Sequence, residues 1–122
     1  MNYSYYLYKI IYLLKCMGWR VEEYAIDLPV DVYGRTYYSA KLIKLDCLNV
    51  EKALIVLAHE AGHVIAYNRR MLKQSISNRK EPAKEHREKQ AYLIGWCLLK
   101  YINCPLISKS QWRELHPDYS KE

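Results

Sequence analysis

Asn49-Val50-Glu51-Lys52-Ala53-Leu54-Ile55-Val56-Leu57-Ala58-His59-Glu60-Ala61-Gly62-His63-Val64-Ile65-Ala66-Tyr67 is the stretch around which the rest of the chain has to be read. Most of it is apolar. Asn49 is a good N-cap, and Glu51 sits in the first turn, where the helix dipole favours an acid. The segment predicts a buried helix over about 50–67. On such a helix, positions i and i+4 stand one above the other. His59 and His63 therefore face the same way, with Glu60 beside them. Two imidazoles at this spacing with an adjacent carboxylate form the HExxH arrangement of a zinc hydrolase, in which the His pair binds the metal and the Glu handles a proton of water.

HExxH fixes only three positions, so its surroundings decide. Two imidazoles and a carboxylate are costly to bury in so apolar a helix unless they are paired or bound to metal. Gly62 costs about 1 kcal/mol relative to Ala inside a helix, which points to another backbone passing close by. Zinc needs a third protein ligand and leaves a fourth position for water. No suitable His follows between Tyr67 and Pro82, so the ligand falls to the next helix, which offers Glu85, His86 and Glu88. Glu88, Ala91 and Gly95 share one stripe, and its small residues would let that helix lie tightly against Gly62. Glu88 is the favoured ligand, with Glu85 one turn earlier as the fallback. His86 reads as exposed and His116 as a tail residue.

Working outward, Tyr3, Leu7, Ile10, Leu14 and Met17 recur at helical spacing and predict an amphipathic helix over about 3–17, closed by Gly18. Residues 19–46 predict a small antiparallel sheet. Trp19 to Tyr24 form a short strand, Val32 to Arg35 a turn, and Thr36 to Leu45 a segment rich in β-formers. Asn68 to Glu81 read as a polar loop or frayed helix. Pro82 suits the first turn of a helix over about 82–102, stopped by Asn103-Cys104-Pro105. Ser108 with Gln111 resembles a capping box for a short last helix through Trp112. The fold class is α+β, with a small antiparallel sheet packed against the HExxH helix and flanking helices. Residues 1–122 make one domain.

Composition narrows the class further. With 51% hydrophobic and 26% charged residues, the chain reads as globular rather than disordered. There are 13 Tyr and no Phe, so tyrosine carries much of the aromatic packing. Cys16, Cys47, Cys97 and Cys104 have no paired spacing, and no secretory signal precedes them. The N-terminal apolar stretch is interrupted by Lys9 and Lys15 and is too short to span a bilayer. The cysteines are expected to be reduced and the compartment cytoplasmic. Eight of the 19 Lys and Arg fall between Arg69 and Lys89 against three Glu. Such a run is ordinarily a solvated face; its sharper reading is a patch that steers an acidic partner.

His59-Glu60-Ala61-Gly62-His63 and the later Glu88-Lys89-Gln90-Ala91-Tyr92-Leu93-Ile94-Gly95 together resemble the ImmA/IrrE metallopeptidases. That family pairs an HExGH helix with a second helix marked E-x-x-A-x-x-F-A. The resemblance spans roughly Gly34 to Leu99. Ile94 and Gly95 stand in place of Phe-Ala, and Lys100-Tyr101 stand where Met-Pro often follows. It implies a zincin-like fold with His59, His63 and Glu88 binding Zn2+ and Glu60 as catalytic base. It also implies a regulatory protease of bacterial, phage or mobile-element type that cleaves a repressor protein. At this length the chain has room for the protease domain alone.

The expected activity is that of a zinc-dependent endopeptidase in which Glu60 accepts a proton from the attacking water. Its substrate would be an extended peptide pairing with the edge of the Thr36 to Leu45 strand. Tyr37, Tyr38 and Tyr67 are the candidates for stabilising the oxyanion. The competing reading is a zinc-containing binding or antagonist module that grips a partner without cleaving it, although a pure binder has no need of Glu60. Nucleic-acid binding through the basic run lacks a recognition helix to support it, and no membrane partner is expected.

Overall fold

Among the described residues of the computed structural model (2–77 and 83–114), short strands lie between the first two of four helices. The order is α1 (Tyr3–Cys16), β1 (Arg20–Glu23), β2 (Gly34–Tyr37), β3 (Leu42–Leu45), α2 (Val50–Ser77), α3 (Lys84–Tyr101) and α4 (Lys109–Glu114). The class is α+β, as the sequence implies.

Local chemistry sets most of the helix ends. Asn2 caps α1 by accepting the Tyr5 N–H, and Gly18 closes it in the left-handed region at φ 85°. The Trp19 N–H reaches back to the Leu14 carbonyl there, satisfying one of the end carbonyls. Asn49 accepts the Lys52 N–H at 3.0 Å and starts α2. Asn103, at φ 56°, ends α3 in the same left-handed manner as Gly18. Ser108 and Gln111 form the reciprocal box, each backbone N–H donating to the other's side chain at 2.9 and 3.1 Å. The Gln111 amide also donates to Glu51 at 2.7 Å, tying α4 to the first turn of α2.

Three expectations are corrected. The HExxH helix does not stop at Tyr67 but continues to Ser77. Residues 68–77 contain no Pro or Gly, and Arg, Met, Leu, Lys and Gln are good helix formers, so the helix runs on through them. Second, the sheet is mixed, not antiparallel. Its order is β1-β3-β2, with β1 parallel to β3 and β2 antiparallel to it. The β2–β3 hairpin inserts its second strand between β1 and β2, a topology that strands of four residues cannot encode in their own pattern. Third, Gly34 and Arg35 belong to strand β2, and the turn within Thr36 to Leu45 falls at Tyr38–Lys41, where Lys41 adopts φ 49°. Strand β3 is therefore interior, and β2 supplies a sheet edge.

The predicted third-ligand helix appears as Lys84–Tyr101. Pro82, Asn78 to Glu81 and His116 lie outside the described residues. Helix α2 is the hub, touching α1, α3, β2 and β3. Ile10, Leu14, Trp19, Ile43, Leu45, Leu54, Leu57, Val64, Leu99 and Trp112 are the large side chains closed off around it. On α1 the buried face is Tyr6, Leu7, Ile10 and Leu14, whereas Met17 lies beyond the last turn and stays exposed. No helix among the described residues is long and apolar enough to cross a membrane. All four cysteines are free, with Cys47 buried and its thiol pushed up by that burial.

Candidate metal centre

Helices α2 and α3 meet where both run out of side chain. A Cβ on Gly62 would lie 2.5 Å from the Ala91 carbonyl oxygen and 3.0 Å from the Ala91 Cα. One turn further on, a Cβ on Gly95 would lie 2.7 Å from the Ala58 carbonyl oxygen. The glycine inside HExGH thus has the structural cause its cost implied: the two backbones touch. Gly62→Ala is expected to destabilise the protein by about 1–3 kcal/mol through overpacking, although alanine is the better helix former. Denaturant titration checks this, and a midpoint equal to or above that of the parent would mean that the crossing gives way freely.

The close crossing carries Glu88 to the histidines. The Glu88 carboxylate lies 2.9 Å from His59 Nε2 through one oxygen and 3.1 Å from His63 Nε2 through the other. The two imidazoles stand nearly perpendicular, with ring centroids 4.9 Å apart. Burial works against charge on Glu88, but the hydrogen bonds and positive character of the two imidazoles outweigh it and hold the carboxyl well below the usual carboxylate range. Glu85 and His86 are exposed in the first turn of the helix and do not belong to the group of possible metal ligands that His59, His63 and Glu88 form. The structure therefore brings together His59, His63 and Glu88 and leaves the fallback ligand out.

These residues fit a metal ion. One ligand atom from each lies within 4.8 Å of the other two. Tetrahedral zinc with bonds of roughly 2.0–2.1 Å needs its donor atoms about 3.3 Å apart, which these side chains approach with little adjustment. His63 is 7% exposed, and its Nδ1 is buried without a partner among the described residues. Its Nε2 faces Glu88 at 3.1 Å, so Nε2 is the nitrogen turned to the site. The donor set of two imidazoles and a carboxylate is one that zinc uses.

Glu60 points to a different neighbour. Its carboxylate accepts the Thr36 hydroxyl at 2.6 Å, across 24 residues of chain. Gly34 permits this contact, since a Cβ there would meet Val56 at 2.4 Å and hold β2 away from α2. Glu60, His63 and Glu88 line one cleft of about 660 Å³. Strand β2 contributes Gly34, Arg35 and Thr36 to its wall, with Tyr38 just beyond, and α3 contributes Lys84 and Arg87. Of the three tyrosines considered from the sequence, Tyr38 alone lines the cleft. Its ring packs tilted against that of Tyr67, centroids 4.6 Å apart, and burial, then Glu60, push its hydroxyl up so that it stays protonated. A second cavity, about 800 Å³, lies between α1 and the end of α3 and is lined by Tyr5, Tyr8, Tyr12, Tyr101 and Lys9. Among its described lining residues there is no imidazole or carboxylate.

Sequence reasoning missed Thr36 and Arg35, and it gave Arg87 only as one charge of the basic run. Thr36 shares a strand face with Gly34, but nothing in a single sequence ties that face to Glu60. Comparison with protein-family models, with curated proteins and with solved structures finds no match for this chain.

Proposed function

We propose that this chain is a zinc-dependent endopeptidase with a zincin-like fold, a regulatory protease of the ImmA/IrrE kind acting in the cytoplasm on a repressor or similar protein. The observation that carries the reading is that Glu60 lines one cleft with His63 and Glu88 of the His59–His63–Glu88 donor set, beside a sheet edge. His59, His63 and Glu88 would hold the zinc. When bound there, zinc supplies Lewis acidity and lowers the pKa of water in its open position.

The remaining work falls to the chain's own groups. Among the described residues β3 is the strand partner of β2, so the other edge of β2 can take an extended peptide by main-chain pairing. The Thr36 hydroxyl orients the Glu60 carboxylate, which takes a proton from the attacking water and delivers it to the departing amine. The Tyr38 hydroxyl, kept protonated, is the hydrogen-bond donor available to a developing oxyanion.

Metal analysis of the purified protein, with the product of a neighbouring repressor gene offered as substrate, tests the reading. About one zinc per chain and cleavage that chelator stops and zinc restores are expected. Stoichiometric zinc without cleavage of any peptide or protein offered would leave a binding module instead.

A further inference from the structure

We propose that the cleft selects its substrate by a carboxylate next to the scissile bond, gripped by Lys84 and Arg87. This rests on the peptidase reading and names the substrate class. The two cations come from the first turn of α3 and line the cleft beside Glu88. Glu60 and Glu88 are the carboxylates among the lining residues, and both are engaged, Glu60 by Thr36 and Glu88 by the two imidazoles. Among the described residues no carboxylate stands within ion-pair distance of Lys84 or Arg87.

Arg87 is half-buried, where a charge pair is screened less by salt than at the open surface. Arginine's planar fork matches a carboxylate in two parallel hydrogen bonds, which gives orientation as well as attraction. Arg35 is left out of the grip, because its guanidinium lies over the Tyr37 ring, on the strand face opposite Thr36. With one such fork and a flexible ammonium at the opening, a peptide with an acidic residue is held and a basic one is repelled. The basic run noted in the sequence thus has a local use: Lys84 and Arg87 belong to it and turn into the cleft.

An acidic side chain and a free chain terminus present the same group, and the test separates them. Labelled decapeptides of one background would carry a central Glu-Asp pair, an Ala pair or a Lys pair, each with a free or amidated C-terminus. Their binding to zinc-loaded Glu60→Gln protein is read by fluorescence anisotropy, and their cleavage by the parent enzyme in parallel. The acidic peptide is expected to bind roughly tenfold more tightly than the alanine peptide at low salt, less so at high salt. Arg87→Glu should erase or invert that order in favour of the lysine peptide. Lys84→Glu, at an exposed position, should move it the same way should Arg87→Glu fail to fold.

Preference that persists with the amidated end assigns the site to an acidic side chain; preference lost on amidation assigns it to a chain terminus. Equal binding of all three sequences with cleavage intact overturns the inference and leaves the peptidase standing. Acidic-selective binding with no cleavage does the reverse. Tighter capture of a single-stranded oligonucleotide than of the acidic peptide also overturns it.

Discussion

Glu60→Gln is expected to abolish peptide cleavage while leaving zinc content and thermal stability close to those of the parent. Glutamine preserves the shape of the side chain and keeps an oxygen that can accept the Thr36 hydroxyl, so strand β2 stays against α2. The donor set of His59, His63 and Glu88 does not include Glu60, so metal binding should survive. The amide cannot take up a proton, and removal of a positioned general base lowers turnover by roughly 10²–10⁴-fold. Turnover under saturating peptide, with zinc measured on the same sample, checks this. Loss of zinc in this variant would make Glu60 a ligand or a structural group and sink the proposed role. Full biological effect of the inactive variant in cells would instead favour the binding module.

The fold was legible where local chemistry decides it and hidden where tertiary placement does. Asn49, Gly18, Asn103 and the Ser108–Gln111 box act within four or five residues, so the helix ends they set can be read directly. The end of α2, beyond Tyr67, was not legible because the polarity of the following residues marks a loop or frayed helix no better than it marks a regular one. Residues 68–77 contain good helix formers and neither Pro nor Gly, and Arg70 donates to Gln90 on α3 at 3.2 Å. Strand order was illegible for a physical reason. Strands of four residues such as Arg20–Glu23 carry too little alternation to say which neighbour they pair with, or in which direction.

The site divides along the same line. His59 and His63 lie one turn apart on a single helix, so their convergence follows from helix geometry alone. Glu88 needed a further inference, and what made it possible was the chain of small residues. Gly62, Ala91 and Gly95 announce a close helix crossing, and a close crossing fixes which residue of α3 sits one turn from Ala91 toward the histidines. Thr36 gave no such signal, and Arg87 stood out only as one charge of the basic run. Thr36 owes its place to β2 lying beside α2, a relation set by the hairpin and by Gly34, not by any spacing in the motif.

Glu88→Ala is expected to strip the protein of metal, whereas Glu85→Ala should leave it fully loaded. The contrast follows from position. Glu88 reaches both imidazoles at 2.9 and 3.1 Å, while Glu85 is exposed in the first turn of α3. Disturbing the outer partners of a metal ligand alone weakens binding about 10–100-fold, so loss of a ligand itself should exceed that range. The variant also separates two explanations of the same geometry. If the carboxylate merely pairs with the imidazoles, the parent protein as isolated carries no stoichiometric metal and Glu88→Ala changes stability alone. If the three side chains hold zinc, the parent unfolds at higher temperature with zinc than with chelator, because an ion that binds only the folded state stabilises it. That zinc-dependent difference should vanish in Glu88→Ala and persist in Glu60→Gln. Zinc retained in Glu88→Ala and lost in Glu85→Ala would move the third ligand by one turn and put the α2–α3 crossing itself in error.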